Sequence, residues 1–244
     1  MSAVEHRVRA LNEPGSPNLV HDDRFARRLG FQSGLVPGVA VYGYMAVLPA
    51  RVWGDRWLAG GAMSARFLKP VYDGEDATVR ASAAGNGLDL ELRNPAGELC
   101  ASGHADPVAE GPPPLLERYP AAPLPVPARP PAFEEGQPLG SLSTRLRLGD
   151  HAWPARLANE ALVANVQLPP WIHVESRVRH LAPVRDGEVA EVRAVVEGLW
   201  ERRGHRFVDL DVLVLGVTST PLAQLRHVAI YELAQLRAGG SATG

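Results

Sequence analysis

The residues best suited to chemistry lie between positions 15 and 38, where the chain reads GSPNLVHDDRFARRLGF over 15–31 and GLVPG over 34–38. His21 is a candidate general base because the unperturbed pKa of imidazole lies near neutral pH. Gly38 is expected to open a helix, and backbone N–H groups at a helix N-terminus stabilise negative charge. A structural alternative remains: His21 can be a capping or surface residue, and Gly34 and Gly38 can simply turn the chain into the helix.

Neighbouring residues are weaker candidates. Tyr42 lies four residues into the predicted helix and could contact a ligand, although at least one of Tyr42 and Tyr44 should belong to the core. Asp22 and Asp23 fall in the first turn of a short predicted helix, where negative charge complements the helix dipole. We therefore interpret the two aspartates as structural.

A second group of polar residues lies between positions 154 and 176. Asn159, Glu160 and Asn165 interrupt an otherwise apolar predicted helix, and a solvated helix face is the simpler explanation for them. His173 and Glu175 are two residues apart and are predicted to share one face of a strand as an ordinary polar pair.

An internal repeat indicates how these residues are positioned. Residues 66–75 read RFLKPVYDGE and residues 179–188 read RHLAPVRDGE, with seven of ten positions identical at an offset of 113. The same offset aligns residues 79–81 with 192–194, and the helical residues 42–49 with 155–162. Although Pro-x-x-Asp-Gly is a common turn signature, this many identities in one register favour a tandem duplication.

Each copy is predicted to be a central helix followed by an antiparallel sheet. Residues 206–215 alternate between apolar and other side chains, as expected for a half-buried antiparallel strand. The predicted strands are 63–68, 77–84, 88–93 and 99–106 in the first copy, and 174–181, 190–199, 206–215 and 221–233 in the second. A single sheet needs a cover on its apolar face, and the helix supplies it, so the fold class is α+β.

The linker between the copies is marked by proline. Residues 107–138 hold 11 of the 22 prolines in the chain, which predicts an extended, semi-rigid connector. We therefore divide the chain into a first unit at 1–106, a linker at 107–138, a second unit at 139–235 and a disordered tail at 236–244.

Composition and motif searches exclude several classes of function. With 27 acidic and 25 basic residues, no overall field favours nucleic acid or a membrane surface. The single cysteine, Cys100, and a start without a secretory signal favour the cytoplasm. Residues 34–50 are too short and too broken by proline and glycine to span a membrane. Zinc-ligand spacing, a phosphate-binding glycine loop and a Gly-x-Ser-x-Gly elbow are all missing from the sequence, so no metal and no cofactor are expected.

The stretch around His21 resembles the MaoC-like, (R)-specific enoyl-CoA hydratase family. The family motif reads Gly-Asp-x-Asn-Pro-Ile-His, followed by a short helix ending in Gly-Phe and by Ile-Val-His-Gly at the central helix. The family's Arg-Phe-x-x-Pro-Val-x-x-Gly-Asp turn also resembles residues 66–75. The resemblance implies the hotdog fold, an antiparallel sheet wrapped around a long helix, and two copies imply a double hotdog with two such sheets.

Position by position, the catalytic motif is partly kept. The matching residues are Gly15, Asn18, His21, Asp23, Ala26, Gly30 and Phe31. The family's catalytic Asp, five residues before the His, is replaced by Ser16, which cannot act as a base at neutral pH. Leu19 replaces the motif proline, and Pro37 replaces the His before the helix glycine.

The resemblance implies an acyl-thioester substrate, carried by coenzyme A or a carrier protein and bound between the copies. A hydratase or dehydratase would use His21 with Ser16 and Asn18 beside it, and the residues expected around the substrate are Gly34, Gly38, Tyr42, Asn159 and Glu160. One alternative is a thioesterase in which His21 or Glu160 activates water, because some hotdog thioesterases use a carboxylate on this helix. Another is a catalytically inactive acyl-CoA-binding protein. A homodimer is a further expectation.

Overall fold

The computed structural model describes residues 4–12, 16, 18–126, 132–147, 151–167 and 170–239. The first half contains β1 (Val4–Arg9), α1 (Asp23–Arg28), α2 (Gly38–Trp53), α3 (Asp55–Gly60), β2 (Ala62–Phe67), β3 (Asp76–Ala84), β4 (Gly87–Arg93) and β5 (Leu99–Asp106). The second half contains β6 (Leu142–Arg145), α4 (Trp153–Asn165), β7 (Ile172–His180), β8 (Val189–Arg202), β9 (His205–Leu215), β10 (Pro221–Glu232) and α5 (Ala234–Gly239).

The ten strands in the described residues form one continuous antiparallel sheet in the order β1-β3-β4-β5-β2-β7-β10-β9-β8-β6. Each half therefore has the same strand order counted outward from the centre, as the repeat predicts. The halves meet where β2 pairs with β7, with Ala65 opposite Ser176 and Arg66 opposite Glu175. The two predicted sheets thus join edge to edge.

The Asp-Gly turns that revealed the repeat make equivalent contacts in the two halves. Gly74 and Gly187 both adopt positive φ angles, 80° and 74°, which glycine tolerates without steric cost. Gly74 N–H donates to Ala10 O, and Gly187 N–H donates to Leu146 O, just after the outer strands β1 and β6. These matching contacts fix each outer strand beside its turn.

Helices α2 and α4 pack side by side on one face of the sheet. Helix α2 contacts the strands of the first half and β7, whereas α4 contacts β7 to β10. The apolar side chains of β9 that alternate in sequence, from Val208 to Val214, are buried beneath α4 as the period of two predicts. The helices thereby cover the apolar face of both halves.

The opposite face of the sheet is less exposed than predicted. Tyr119 of the connector is buried against Leu213 and Leu215, and Gln224 Nε2 donates to its hydroxyl at 2.6 Å. Residues 107–126 of the connector contain only one short 3-10 helix, at Leu116–Arg118. Covering β9 from outside makes it buried on both faces.

Sequence patterns missed the short elements at the ends of the sheet. Strands β1 and β6 are the edge strands, paired on one side only, and they contain only two and one apolar side chains, respectively. The short helix α3 was also not predicted. Of the residues assigned to the tail from the sequence, 236–239 belong to α5, and 240–244 lie outside the described residues.

Candidate functional site

A cavity of about 780 Å³ lies between the two halves, at the N-terminal end of α2. Its walls are mostly valine, leucine, isoleucine and phenylalanine side chains from residues 20–41 and 67–71, and from β6, α4, β7 and β10. Volumes of this size hold small organic ligands, and an apolar lining suits a hydrocarbon chain. Six of the eight residues predicted for the site line this cavity: Ser16, Asn18, His21, Gly38, Asn159 and Glu160.

His21 ends a 3-10 helix, Leu19–His21, that precedes α1. Its Nδ1 lies 2.5 Å from the carbonyl oxygen of Leu35, and because a carbonyl can only accept, Nδ1 is the donor. In the neutral ring the lone pair is therefore on Nε2. This hydrogen bond fixes which ring nitrogen carries the lone pair and can act as a base.

Asn18 connects the His21 segment to the second half of the molecule. Its side chain is 3% exposed, and its Nδ2 donates to Trp171 O at 2.9 Å while its Oδ1 accepts from Trp171 N–H at 3.3 Å. Oδ1 also accepts from Val20 N–H. Because these backbone bonds use the amide, we now interpret Asn18 as a positioning residue. Ser16 Oγ in turn accepts from Asn18 N–H at 3.3 Å.

The N-terminus of α2 contributes backbone donors to the cavity. Pro37 caps the helix without a side-chain hydrogen bond, and the N–H groups of Gly38 and Val39 donate to no group in the described part of the chain. A Cβ added at Gly38 would lie 2.8 Å from His173 Nδ1, so only glycine fits between the helix and this imidazole. Gly38 is thus the first residue of α2, where its expected role would require it to be.

Two predicted site residues lie elsewhere. Gly34 does not line the cavity: its N–H donates to Asp23 Oδ1 at 2.9 Å, and a Cβ here would lie 2.2 Å from His21 O. Gly34 therefore allows the chain to pass His21 closely. Tyr42 is fully buried in the core among apolar side chains, and burial raises the pKa of its phenol. Tyr42 is consequently a core residue and not a ligand contact.

Helix α4 places Asn159 and Glu160 on the cavity wall, with Arg156 one turn earlier. Trp171 Nε1 donates to Asn159 Oδ1 at 3.0 Å, which fixes the orientation of that amide because indole N–H can only donate. Asn165 lies apart from the cavity, where its buried amide bonds to the backbone of Gly140 and Ala161. It joins α4 to the segment before β6.

The prediction that His173 and Glu175 share one face of a strand is wrong. A β-bulge shifts the register of β7 against β10, so that Glu175 faces Val228 and His173 faces Ala229. Glu175 consequently points outward to Arg66 and Arg177, whereas His173 points inward and is 7% exposed. Bulges re-aim side chains in this way.

His173 belongs to a buried polar group that the sequence patterns did not identify. Its Nε2 lies 2.8 Å from Ser176 Oγ, which in turn lies 3.3 Å from His227 Nδ1, and the two imidazole rings stack with centroids 4.2 Å apart. Burial lowers the pKa of His173 well below its ordinary value and lowers the pKa of His227 to about 4. Both rings are therefore neutral at physiological pH.

Searches of the described residues for other site types were negative. They contain no cluster of three or more acidic, histidine or cysteine side chains arranged to hold a metal ion. None of the helices in the described ranges is long and apolar enough to cross a membrane.

Comparison with known proteins identifies the fold. No protein-family model and no curated protein matches the sequence. A protein described as a MaoC domain dehydratase from Chloroflexus aurantiacus J-10-fl superposes with a TM-score of 0.59 at 12% identity, covering 95% of each chain. The dehydratase domain of PpsC from Mycobacterium tuberculosis, solved in complex with C12:1-CoA, gives 0.58 at 12% identity and covers 95% of this chain and 94% of its own.

A protein described as an oleoyl thioesterase, from Lactobacillus plantarum, is also similar, with a TM-score of 0.55 at 11% identity over 95% of this chain and 97% of its own. The paired halves, their shared sheet and these likenesses define the chain as a double-hotdog protein. At such identities the likeness establishes the fold and not the activity.

Proposed function

We propose that the chain binds an acyl thioester in the cavity between its halves and catalyses the hydration of a 2-enoyl thioester, or the reverse dehydration, through His21. The observation that carries this proposal is that His21 and the N-terminus of α2 line the same apolar cavity. The MaoC-like motif around His21 and the dehydratases among the structural neighbours support it.

The chemistry needs negative charge to be stabilised on the thioester oxygen while water adds across the double bond. A thioester oxygen at the start of α2 would accept from Gly38 and Val39 N–H, and such backbone donors typically lower the barrier by about 3 kcal/mol. Water oxygen bonds to C3, a proton from water passes to a base, and a proton reaches C2. The basic Nε2 of His21 suits one of these transfers, which typically contributes about 100-fold to 10,000-fold in rate.

Hydrolysis of the thioester is the second candidate. Glu160 and Asn159 line the cavity from α4, and Ser16 lacks the carboxylate that the hydratase motif has at this position. In that reaction, His21 or Glu160 would direct water at the thioester carbon, and the products would be a carboxylate and a free thiol.

One assay distinguishes these reactions. The purified protein is incubated with crotonyl-CoA and with a series of saturated acyl-CoAs, while enoyl absorbance and free thiol are both followed. Loss of enoyl absorbance without thiol release supports hydration, and thiol release supports hydrolysis. Binding of acyl-CoA with neither signal would indicate a catalytically inactive binding protein and would overturn the enzymatic proposal.

A further inference from the structure

The cavity lies where the sheet opens between its two halves. The ladder between β2 and β7 ends at the pair of Arg66 and Glu175. Beyond this pair, β2 continues beside β5 and the first residues of β7 lie beside β10. The cavity is lined by residues 67–71 from the end of β2 and by residues 171–174 from the start of β7. It therefore occupies the gap between these two strand ends.

Through this gap the cavity reaches the face of the sheet that points away from the helices. Val208 is buried beneath α4, so Phe207, the residue before it, faces the other way. Ile230 is directly opposite Phe207 in β9 and Ile172 in β7, and directly opposite residues share a face. Ile172 and Ile230 both line the cavity. One part of the cavity consequently lies on the outer face of the sheet.

This outer pouch, defined by Val20, Ile172, Val174 and Ile230, is apolar. Its four side chains belong to a hydrophobic cluster that is separate from the main core. Ile172 and Val174 are half-buried and Ile230 is 9% exposed, so a ligand can cover further apolar surface here. Burial of such surface favours a hydrocarbon group.

The helix side of the cavity is more polar. Helix α4 presents Arg156, Asn159 and Glu160 to it, at the spacing that places side chains on one side of a helix. The start of α2, with Gly38, also lies on this side. Amide, hydroxyl and phosphate groups, which the phosphopantetheine arm of coenzyme A and of carrier proteins contains, suit these side chains. The two sides of the cavity therefore fit the two parts of an acyl thioester.

We infer that the acyl chain crosses the gap in the sheet and ends in the outer pouch, while the carrier arm lies along α4. The inference rests on the proposed function, because a thioester oxygen at Gly38 lies on the helix side. From there the chain must cross the strand layer, roughly the 10 Å that separates packed layers. An extended chain advances about 1.3 Å for each C–C bond of about 1.5 Å, so about eight carbons reach the pouch and the four of crotonyl do not. The substrate class is therefore a medium-chain 2-enoyl thioester.

Binding measurements test this without depending on the reaction catalysed. Calorimetry on the full chain compares butyryl-CoA, octanoyl-CoA and dodecanoyl-CoA. Each buried methylene contributes about fourfold in affinity, so octanoyl-CoA should bind about 100-fold more tightly than butyryl-CoA. The kcat/KM for 2-octenoyl-CoA should exceed that for crotonyl-CoA in the same direction.

Two substitutions of Ile230 should shift the preferred chain length in opposite directions. Ile230→Phe fills the pouch, and the ratio of octanoyl-CoA to butyryl-CoA affinity should fall below about tenfold. Ile230→Ala enlarges the pouch, and the gain in affinity should extend to dodecanoyl-CoA. Opposite shifts at one position do not follow from a general loss of stability.

Val163→Phe is the matched control, because Val163 lines the cavity from α4 on the helix side. The added ring should weaken the binding of all three thioesters alike and leave their affinity ratios unchanged. If the ratio of octanoyl-CoA to butyryl-CoA affinity falls in Val163→Phe and not in Ile230→Phe, the acyl chain lies along α4 and the inference is overturned.

The remaining outcomes separate the inference from the proposed function. Equal affinity of the wild type for butyryl-CoA and octanoyl-CoA would overturn the inference and leave the proposed function intact. Absence of binding for all three thioesters would overturn the proposed function itself. If the Ile230 variants do not fold, Val174→Phe decides, because this half-buried position tolerates a larger side chain. A lower affinity ratio in that variant supports the inference, and an unchanged ratio overturns it.

Discussion

At the scale of single residues, the account depends on His21, which lines the cavity beside the start of α2. His21 is oriented by the carbonyl of Leu35, and His173 by Ser176 and Glu175. In the His21 ring, Nδ1 is occupied by donation to Leu35 O, so Nε2 is the basic atom. Ser16 stands where the hydratase motif has a carboxylate.

Replacing His21 tests the first imidazole. His21→Ala should reduce crotonyl-CoA turnover by about 100-fold or more, because a positioned base is removed. The melting temperature should change little, since His21 is only partly buried. His104→Ala is the control, because His104 lies on the exposed sheet surface beside Asp89 and Asp106. Unchanged turnover in His21→Ala would show that another residue catalyses the reaction, and Glu160 would be the next residue to replace.

Restoring the carboxylate of the motif tests whether Ser16 limits the rate of hydration. Ser16 lines the cavity, so an aspartate in Ser16→Asp would add an acid or base to it, and hydration of crotonyl-CoA should rise measurably above wild type. The gain is limited because Leu19 and Pro37 also differ from the motif, and a displacement of about 1 Å can cost 100-fold. A variant that folds and binds a ketone analogue of butyryl-CoA, with a methylene in place of the sulfur, but shows no hydration above the buffer rate would favour hydrolysis or pure binding.

At the scale of elements, the start of α2 and the bulge of β7 form one unit. The first turn of α2 supplies donors, the bulge turns the His173 ring inward, and the missing side chain at Gly38 lets this ring pack against the helix. Asn18 holds the His21 segment to the start of β7 at Trp171. Each element is therefore positioned by a contact between the two halves.

Adding one methyl group tests this packing. Gly38→Ala would place a Cβ 2.8–3.0 Å from the His173 ring, which forces a displacement and should cost about 1–3 kcal/mol of stability together with most turnover. Gly60→Ala is the matched control. A Cβ there meets nothing within 4 Å, so stability and turnover should be close to wild type. Thermal melts and crotonyl-CoA kinetics on both variants measure the difference, and equal behaviour would contradict the proposed contact.

Sequence patterns predicted the long elements and failed at irregular ones. The repeat and the alternation of β9 depend on local periodicity, so the helix-and-strand order of each half could be read directly. The face of β7 on which His173 lies could not be predicted. A bulge interrupts the alternation of faces along a strand, and it leaves no signal in the sequence. Tyr42 was assigned to the site because helix periodicity cannot distinguish a core-facing tyrosine from one that faces a cavity. The edge strands β1 and β6 were missed because few of their side chains are apolar.

At the scale of the whole molecule, duplication provides two helix N-termini that are used differently. The cavity lies at the start of α2. At the start of α4, by contrast, Trp153 packs against His180 in the interior, and His180 also contacts Trp57. In the second half, aromatic side chains therefore fill the region that corresponds to the open cavity of the first half. The duplicated fold has become asymmetric, with each half supplying different groups to one cavity.

The buried histidines predict how stability depends on pH. Burial lowers the pKa of His180 and of His227 to about 4, below the value of about 6.5 in the unfolded chain. Between these values the unfolded state binds more protons, so the free energy of unfolding should be greatest above pH 6.5 and fall as pH decreases toward 4. Each ring accounts for a loss on the order of 3 kcal/mol. Urea melts from pH 7 to pH 4 measure this, and His180→Gln should show a shallower decline. An equal slope in both proteins would contradict the assignment.

A crystal structure of the protein with the ketone analogue of butyryl-CoA tests the central claim most directly. We predict that the ketone oxygen accepts from Gly38 or Val39 N–H at the start of α2, that the acyl chain lies in the apolar cavity between the halves, and that His21 faces the reacting carbons. An analogue bound with its ketone oxygen away from this helix N-terminus, or outside the cavity, would contradict the account.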